Sequence, residues 1–293
     1  MPVASNQEPQ AAPGVTRTQP VVPAPLLLLG SIVSVQVGAA VAKTIFPVAG
    51  SGGTVFMRVG FAALVLLAWW RPNLGKFPPR ALGVVLAFGI ALGGMNGMFY
   101  ASIARIPLGV AVAIEFLGPL TVAVIASRKP RDYGWIALAA LGVLTLTPLV
   151  SQRLDPIGVL LSLGASACWA AYIPLSAATG RAVPGGSGLA VAMTIAALVL
   201  LPFGWLNAGR LAHPVVLLSG AAVGLLSSVV PYSLELEALR WLPTRVFSIL
   251  LSLEPVTAAL VAFIILGERL SLLELGGMGL IVAASIGATL DHY

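Results

Sequence analysis

The sequence predicts an all-α membrane protein of about ten transmembrane helices, built as two inverted five-helix repeats. Three observations carry this. Of 293 residues, 58% are hydrophobic and only 9% charged, whereas a soluble domain carries about 25% charged residues. The apolar residues fall in runs of about 20, the length that crosses a bilayer as a helix. The chain also aligns with itself at an offset of about 136 residues.

Residues 1–25 are rich in Pro, Ala, Gln, Ser and Thr and hold no apolar run, so they read as a disordered cytoplasmic tail. No cleavable signal peptide is expected, because the first apolar run begins near Leu26 and is long enough to span. The spans fall at 26–46, 53–70, 81–104, 107–126, 133–150, 156–178, 187–206, 214–239, 243–265 and 271–290. Their separators are a Pro/Gly turn from Pro47 to Gly53, a basic loop from Arg71 to Arg80, a tight turn from Arg105 to Pro107, and charged loops at Arg128-Lys129-Pro130-Arg131-Asp132 and Gly267-Glu268-Arg269.

The basic residues set the orientation. With the N-terminus inside, the cytoplasmic set is Arg17, Arg71, Lys76, Arg80, Arg128, Lys129, Arg131, Arg181, Arg240 and Arg245. The outer set is only Arg105, Arg153, Arg210 and Arg269. Both termini are therefore expected in the cytoplasm. At the repeat offset, Leu117-Gly-Pro119-Leu-Thr121 lies on Leu253-Glu-Pro255-Val-Thr257. The first repeat runs over 26–150 and the second over 156–290. Five spans per repeat is an odd number, so the second repeat enters the membrane upside down. Secondary transporters use such symmetry to build two related gates around a site near the midplane.

Composition also excludes. The net charge of +6 reads as cytoplasmic anchoring, with no nucleic-acid partner expected. One cysteine, Cys168, allows no internal disulfide, and only His213 and His292 are present. No metal centre and no cofactor are expected. A membrane enzyme or receptor would need a nucleophile, a metal cluster or a soluble ligand domain, and neither G-x-S-x-G nor H-E-x-x-H occurs.

Several runs resemble the EamA branch of the drug/metabolite transporter superfamily. They are Gly38-Ala-Ala-Val-Ala-Lys43, Gly93-Gly-Met-Asn96, Pro107-Leu-Gly-Val-Ala-Val-Ala-Ile-Glu115-Phe-Leu-Gly-Pro119, Ala167-Cys-Trp169-Ala-Ala-Tyr172, Pro231-Tyr-Ser-Leu-Glu235, Leu242-Pro-Thr-Arg245 and Leu253-Glu254-Pro255. The likeness runs from about Leu26 to Leu290. It departs at Glu237, where an apolar residue is usual. The resemblance implies ten helices, both termini cytoplasmic, a central cavity between the halves, and residence in a bacterial inner membrane. It also implies export of small amino-acid-like metabolites of the threonine/homoserine class, coupled to protons. A broader exporter of drugs or toxic metabolites is the second reading. The partners implied are a small-molecule substrate and the lipid bilayer. The face Gly276-Gly277 with Gly279 serves packing within the chain or a homo-oligomer.

The residues that could carry transport are the polar ones inside spans. Glu115 falls near mid-span, where a carboxylate costs about 2.5–3.5 kcal/mol on insertion scales, so it faces a cavity or a partner or carries a proton. Glu254 lies three residues from the repeat counterpart of Glu115, about one turn away, so both carboxyls can approach one cavity. Lys43 and Arg58 lie near outer span ends. Snorkelling competes there with substrate binding, and Arg58 is suited to holding a carboxylate or pairing with Glu115. Glu235 and Glu237 lie close in sequence to Arg240 and Arg245, as a cytoplasmic gate would require, although Glu237 with Arg240 is also a simple i,i+3 pair. Gln36, Asn96, Tyr100, Trp169, Tyr172 and Tyr232 supply polar edges for a pocket or serve as interfacial anchors. Pro119 and Pro255 are repeat-related candidate hinges.

Overall fold

A computed structural model describes residues 22–106, 108–146, 154–206, 208–211, 213–261, 264 and 272–290. Among them every regular element is helical. In hydrocarbon a backbone N–H or C=O finds no water, and a helix satisfies both within one segment. Helix α1 spans Ala24–Trp70, α2 Pro79–Ile103, α3 Leu108–Glu115, α4 Leu117–Ala126, α5 Pro130–Leu146, α6 Pro156–Ala182 and α7 Ser187–Leu206. The short α8 (Ala208–Leu211) leads to α9 (Pro214–Gly224), a π-turn (Leu225–Val229), α10 (Val230–Ala238), α11 (Thr244–Leu250), α12 (Leu253–Val261) and α13 (Leu272–Leu290).

Among the described residues, five stretches are long and apolar enough to cross a membrane: Ile45–Trp70, Pro79–Ile103, Pro156–Ala182, Ser187–Leu206 and Pro214–Trp241. Ala24–Ala39, Leu117–Ala126, Val246–Thr257 and Leu275–Ala284 are shorter apolar helices. The tail at 1–21, Pro107, Arg153 and the loop at Glu268 and Arg269 lie outside the described residues. Helix α1 begins at Ala24, slightly before the expected edge.

The Pro/Gly turn expected from Pro47 to Gly53 contracts to one residue. Gly50 alone leaves helical geometry, at φ 69° and ψ 166°, a conformation that glycine adopts without a Cβ penalty. The break folds α1 back on itself. Ser34 and Arg58 would stand about 36 Å apart on a straight helix, yet both bond to the π-turn and the chain beside it. Helix α1 is thus two arms joined at Gly50.

The segments around Glu115 and Glu254 are broken as well. Pro119 offers no N–H to the Glu115 carbonyl, and α3 gives way to α4 at Phe116. Pro255 offers none to the Leu251 carbonyl, which takes the Glu254 N–H instead at 2.9 Å, between α11 and α12. The two breaks fall about 136 residues apart, the offset of the sequence alignment.

Helix α1 packs on α7, α9 and α10, α2 on α6 and α7, and α5 on α13. Phe88, Phe116, Tyr172, Met193 and Phe247 are fully buried in the core. Leu64, Ile125, Leu160 and Leu198 point outward, as side chains facing lipid do. Exposed Trp69, Trp70 and Trp205 sit at helix ends, where aromatic belts form.

Candidate functional site

Arg58 lies on the second arm of α1, on the face that turns inward with Val55, Val59 and Ala62. It does not snorkel: it is only 8% exposed. Its Nε donates to Ser228 Oγ at 2.9 Å, Nη2 to the Ser227 carbonyl at 2.5 Å and to the Tyr232 hydroxyl at 3.4 Å, and Nη1 to the Tyr100 hydroxyl at 3.3 Å. The guanidinium also lies 5.7 Å from the centre of the Tyr100 ring, within cation–π range. The expected pair with Glu115 is not formed, and among the described residues no carboxylate reaches ion-pair distance of Arg58.

One acceptor of Arg58, the Ser227 carbonyl, sits one turn before a proline. Through the π-turn, backbone bonds run to the fifth residue, as from the Val230 N–H to the Leu225 carbonyl. Pro231 has no N–H. It therefore offers no bond to the Leu226 carbonyl, five residues earlier, or to the Ser227 carbonyl, four earlier. Ser34 Oγ donates to the first at 2.6 Å and Arg58 to the second.

Around this centre aromatic rings link the polar groups. Asn96 Nδ2 donates to the Tyr232 hydroxyl at 3.1 Å. The Tyr232 ring lies 5.8 Å from that of Tyr172, which also meets Phe88 at 5.3 Å. Tyr172 donates its hydroxyl to Glu235 Oε2 at 2.5 Å, and Ser31 donates to Oε1 at 2.7 Å. Glu235 therefore belongs to the central network and not to a cytoplasmic gate with Arg240. Its helical turn directs it inward, toward α1 and α6. The pair that forms is Glu237 with Arg240, at 2.6 Å, extended by Trp241 Nε1 to Glu237 and by Arg240 to the Gly185 carbonyl. The Arg245 side chain lies outside the described residues.

Glu115 is buried at the end of α3, and Glu254 is half-buried at the start of α12. They are close enough for the charge of Glu254 to act on Glu115, and Arg58 acts on both and on Glu235. Trp169 packs edge-on against Phe116 at 6.2 Å, at the break beside Glu115. Buried Pro119 and Pro255 hold the two breaks, and Cys168 is half-buried beside Trp169. Gln36 is half-buried on the first arm of α1. Lys43 is in the same arm, but its side chain lies outside the described residues. A cavity of about 280 Å³ opens at the Gly50 break, lined by Ser51, Val55, Gly97, Ala101 and Phe203. Ser51 and Val55 lie on the helix face that leads to Arg58.

The sequence reading missed Ser31, Ser34, Ser227 and Ser228. One signal was available: Ser227 precedes Pro231 by four residues, so its carbonyl needs a donor from elsewhere.

Two substitutions separate the network from its surroundings. Tyr172→Phe keeps the ring packing but removes a donor from a buried carboxyl. Thermal unfolding in detergent should register a loss of about 1–3 kcal/mol. Glu237→Ala breaks a partly exposed pair and should cost no more than about 1 kcal/mol.

The sequence profile of the EamA-like transporter family matches residues 156–290. The threonine/homoserine exporter RhtA of Escherichia coli K12 is 44% identical over 281 residues, which cover 95% of this chain and 95% of that protein. The chain belongs to the EamA-like transporter family. As an EamA-like transporter it is a multi-pass membrane protein. RhtA of Salmonella typhimurium LT2 is likewise 44% identical over 95% of both chains. The transporter YwfM of Bacillus subtilis is 29% identical, covering 75% of this chain and 77% of its own. A solved crystal structure shares the fold at a TM-score of 0.67, with 17% identity over 91% of this chain and 97% of that one.

Proposed function

We propose that this EamA-like transporter is a secondary active exporter of small amino acids of the threonine/homoserine class, resident in a bacterial inner membrane. One observation carries the reading. A buried guanidinium with no carboxylate at contact distance among the described residues lies within electrostatic reach of three carboxyls, Glu115, Glu235 and Glu254. A zwitterion needs both signs. Arg58 matches an α-carboxylate, and Glu115 or Glu254 matches the ammonium. The 44% identity to exporters named for threonine and homoserine supports the same substrate class. A drug exporter is favoured less, because an apolar cargo has no use for this separation of charge.

Two inverted repeats, over 26–150 and 156–290, supply the alternating access in this reading. The equivalent breaks at Phe116 and Leu251–Ser252 and the family match over 156–290 support it. Both termini lie in the cytoplasm, and rocking of one half against the other moves the site between the two sides. Protons drive export, with Glu115 as the carrier. Its carboxyl has no hydrogen-bond partner among the described residues and is free to exchange a proton as Glu254 and Arg58 change distance.

Efflux of labelled threonine and homoserine from proteoliposomes, with and without a pH gradient, tests the reading. The wild type should show gradient-driven efflux of both. Glu115→Gln should lose the response to the gradient and keep exchange of internal for external substrate. Transport of neither amino acid would sink the substrate class. A full gradient response in Glu115→Gln would remove Glu115 from the coupling.

A further inference from the structure

We infer that Arg58 is self-liganded: the Ser227 carbonyl and the Ser228 hydroxyl stand where the two carboxylate oxygens of the substrate bind, and displacing them unlatches the second arm of α1 from the π-turn. The inference rests on the amino-acid exporter reading above and assigns a regulatory step to the same site.

The geometry is that of a carboxylate receptor already filled. A guanidinium recognises a carboxylate by presenting two parallel N–H groups to two oxygens. Arg58 presents Nε and Nη2 to two oxygens, at 2.9 and 2.5 Å, on adjacent residues of one chain segment. One oxygen is a carbonyl to which Pro231, four residues on, offers no N–H. The other is a hydroxyl. Both are neutral, so a carboxylate is the stronger acceptor for a buried cation and can displace them.

The displaced pair is also a joint. Ser34 holds the Leu226 carbonyl from the first arm of α1, while Arg58 holds Ser227 from the second. The arms close on the segment without room to spare. A Cβ on Gly38 would collide with the Ser227 hydroxyl and lie 3.0 Å from the Ser227 nitrogen, and one on Gly224 would lie 2.9 Å from the Arg58 carbonyl. The Ser227 hydroxyl is fully buried and has no hydrogen-bond partner among the described residues, so the turn holds an unused polar group ready for a second arrangement. Bonded in this way, Arg58 pins the second arm of α1 to the α9–α10 segment and disfavours reorientation without cargo. With a carboxylate bound, the Ser227 carbonyl is released and that restraint is lost. A ligand lacking a carboxylate cannot open the latch. The internal ligands also lower apparent affinity, because only the unlatched fraction binds.

Calorimetric titration of the full chain in nanodiscs tests this with threonine and with threoninol, which lacks the carboxylate. Ser228→Ala removes one internal acceptor and should tighten threonine binding about three- to tenfold, leaving threoninol unchanged. Pro231→Ala supplies an N–H that competes with Arg58 for the Ser227 carbonyl, and should tighten threonine in the same direction. If that variant fails to fold, Ser228→Ala decides alone. Weaker threonine binding in Ser228→Ala, comparable to that in Arg58→Lys, would make the serine pair plain scaffolding and overturn the latch. An equal shift for threonine and threoninol would overturn it too. A wild type that binds neither threonine nor homoserine would sink the exporter reading itself, and the latch with it. Wild-type threonine binding that Ser228→Ala leaves untouched would sink only the latch.

Discussion

Arg58→Ala is expected to abolish export and to destabilise the protein, and Arg58→Lys is expected to separate the two effects. Alanine removes the donor from the Ser227 carbonyl and leaves Ser228, Tyr100 and Tyr232 facing a void. An unpaired buried acceptor costs about 1–3 kcal/mol, and the lost side-chain packing adds to that. It also removes the cation that offsets the charges of Glu115, Glu235 and Glu254. Unfolding followed by tryptophan fluorescence should shift by about 3–5 kcal/mol, as when one partner of a buried charge cluster is deleted. Lysine keeps the charge but not the fork. Its protein should recover much of the stability, while kcat/KM for threonine stays down by about 10²-fold, the loss of a bidentate carboxylate contact. Near-wild-type export by the lysine variant would show that Arg58 serves the fold and not the substrate.

Gly118→Val should prevent the protein from reaching its native packing. Helix α4 crosses α6 backbone to backbone at this residue. A Cβ on Gly118 would run into the Ser166 carbonyl oxygen and lie 3.2 Å from the Ala170 nitrogen. Neither atom belongs to a side chain that can rotate away. Overpacking of a rigid contact costs about 1–3 kcal/mol for modest insertions and more where backbone must move. A valine, with two more methyl groups than alanine to place, falls in the severe class. Monodisperse yield on size-exclusion chromatography should collapse. Gly118→Ala is the milder form. Where it folds, export should still fall, because α4 carries the break that positions Glu115 and the Phe116 ring against Trp169. A wild-type unfolding temperature for the valine variant would refute the backbone-to-backbone contact.

The membrane made most of the fold legible. A bilayer demands long uninterrupted apolar runs, and those can be counted without knowing what they touch. Glu115, Glu254 and Arg58 stood out because charge inside such a run is expensive. The prolines at 119 and 255 announced the broken segments, since a missing N–H is a property of the residue and not of its surroundings.

Other features stayed hidden for equally physical reasons. Hydroxyls in membrane helices commonly bond to the carbonyl one turn back, as Thr54, Thr121, Ser127, Thr194, Ser233 and Thr257 do here. A serine that reaches across instead, such as Ser31 to Glu235 or Ser162 to the Ala111 carbonyl, looks the same in sequence. Nearness of Glu235 to Arg240 along the chain carries no angular information. Two residues closer in sequence, Glu237 takes the arginine, and Glu235 turns to Tyr172.

The widened turn at Leu225–Val229 acts on everything that follows it. An α-helix advances about 100° per residue, so one residue absorbed into a wider loop is a phase shift of about that angle. Tyr232 and Glu235 come after the shift, and their inward aim depends on it. Removing a single residue from the turn would leave their chemistry intact and rotate it toward the lipid. In this helix, what decides whether the hydroxyl and carboxyl meet their partners is the count of residues as much as their kind.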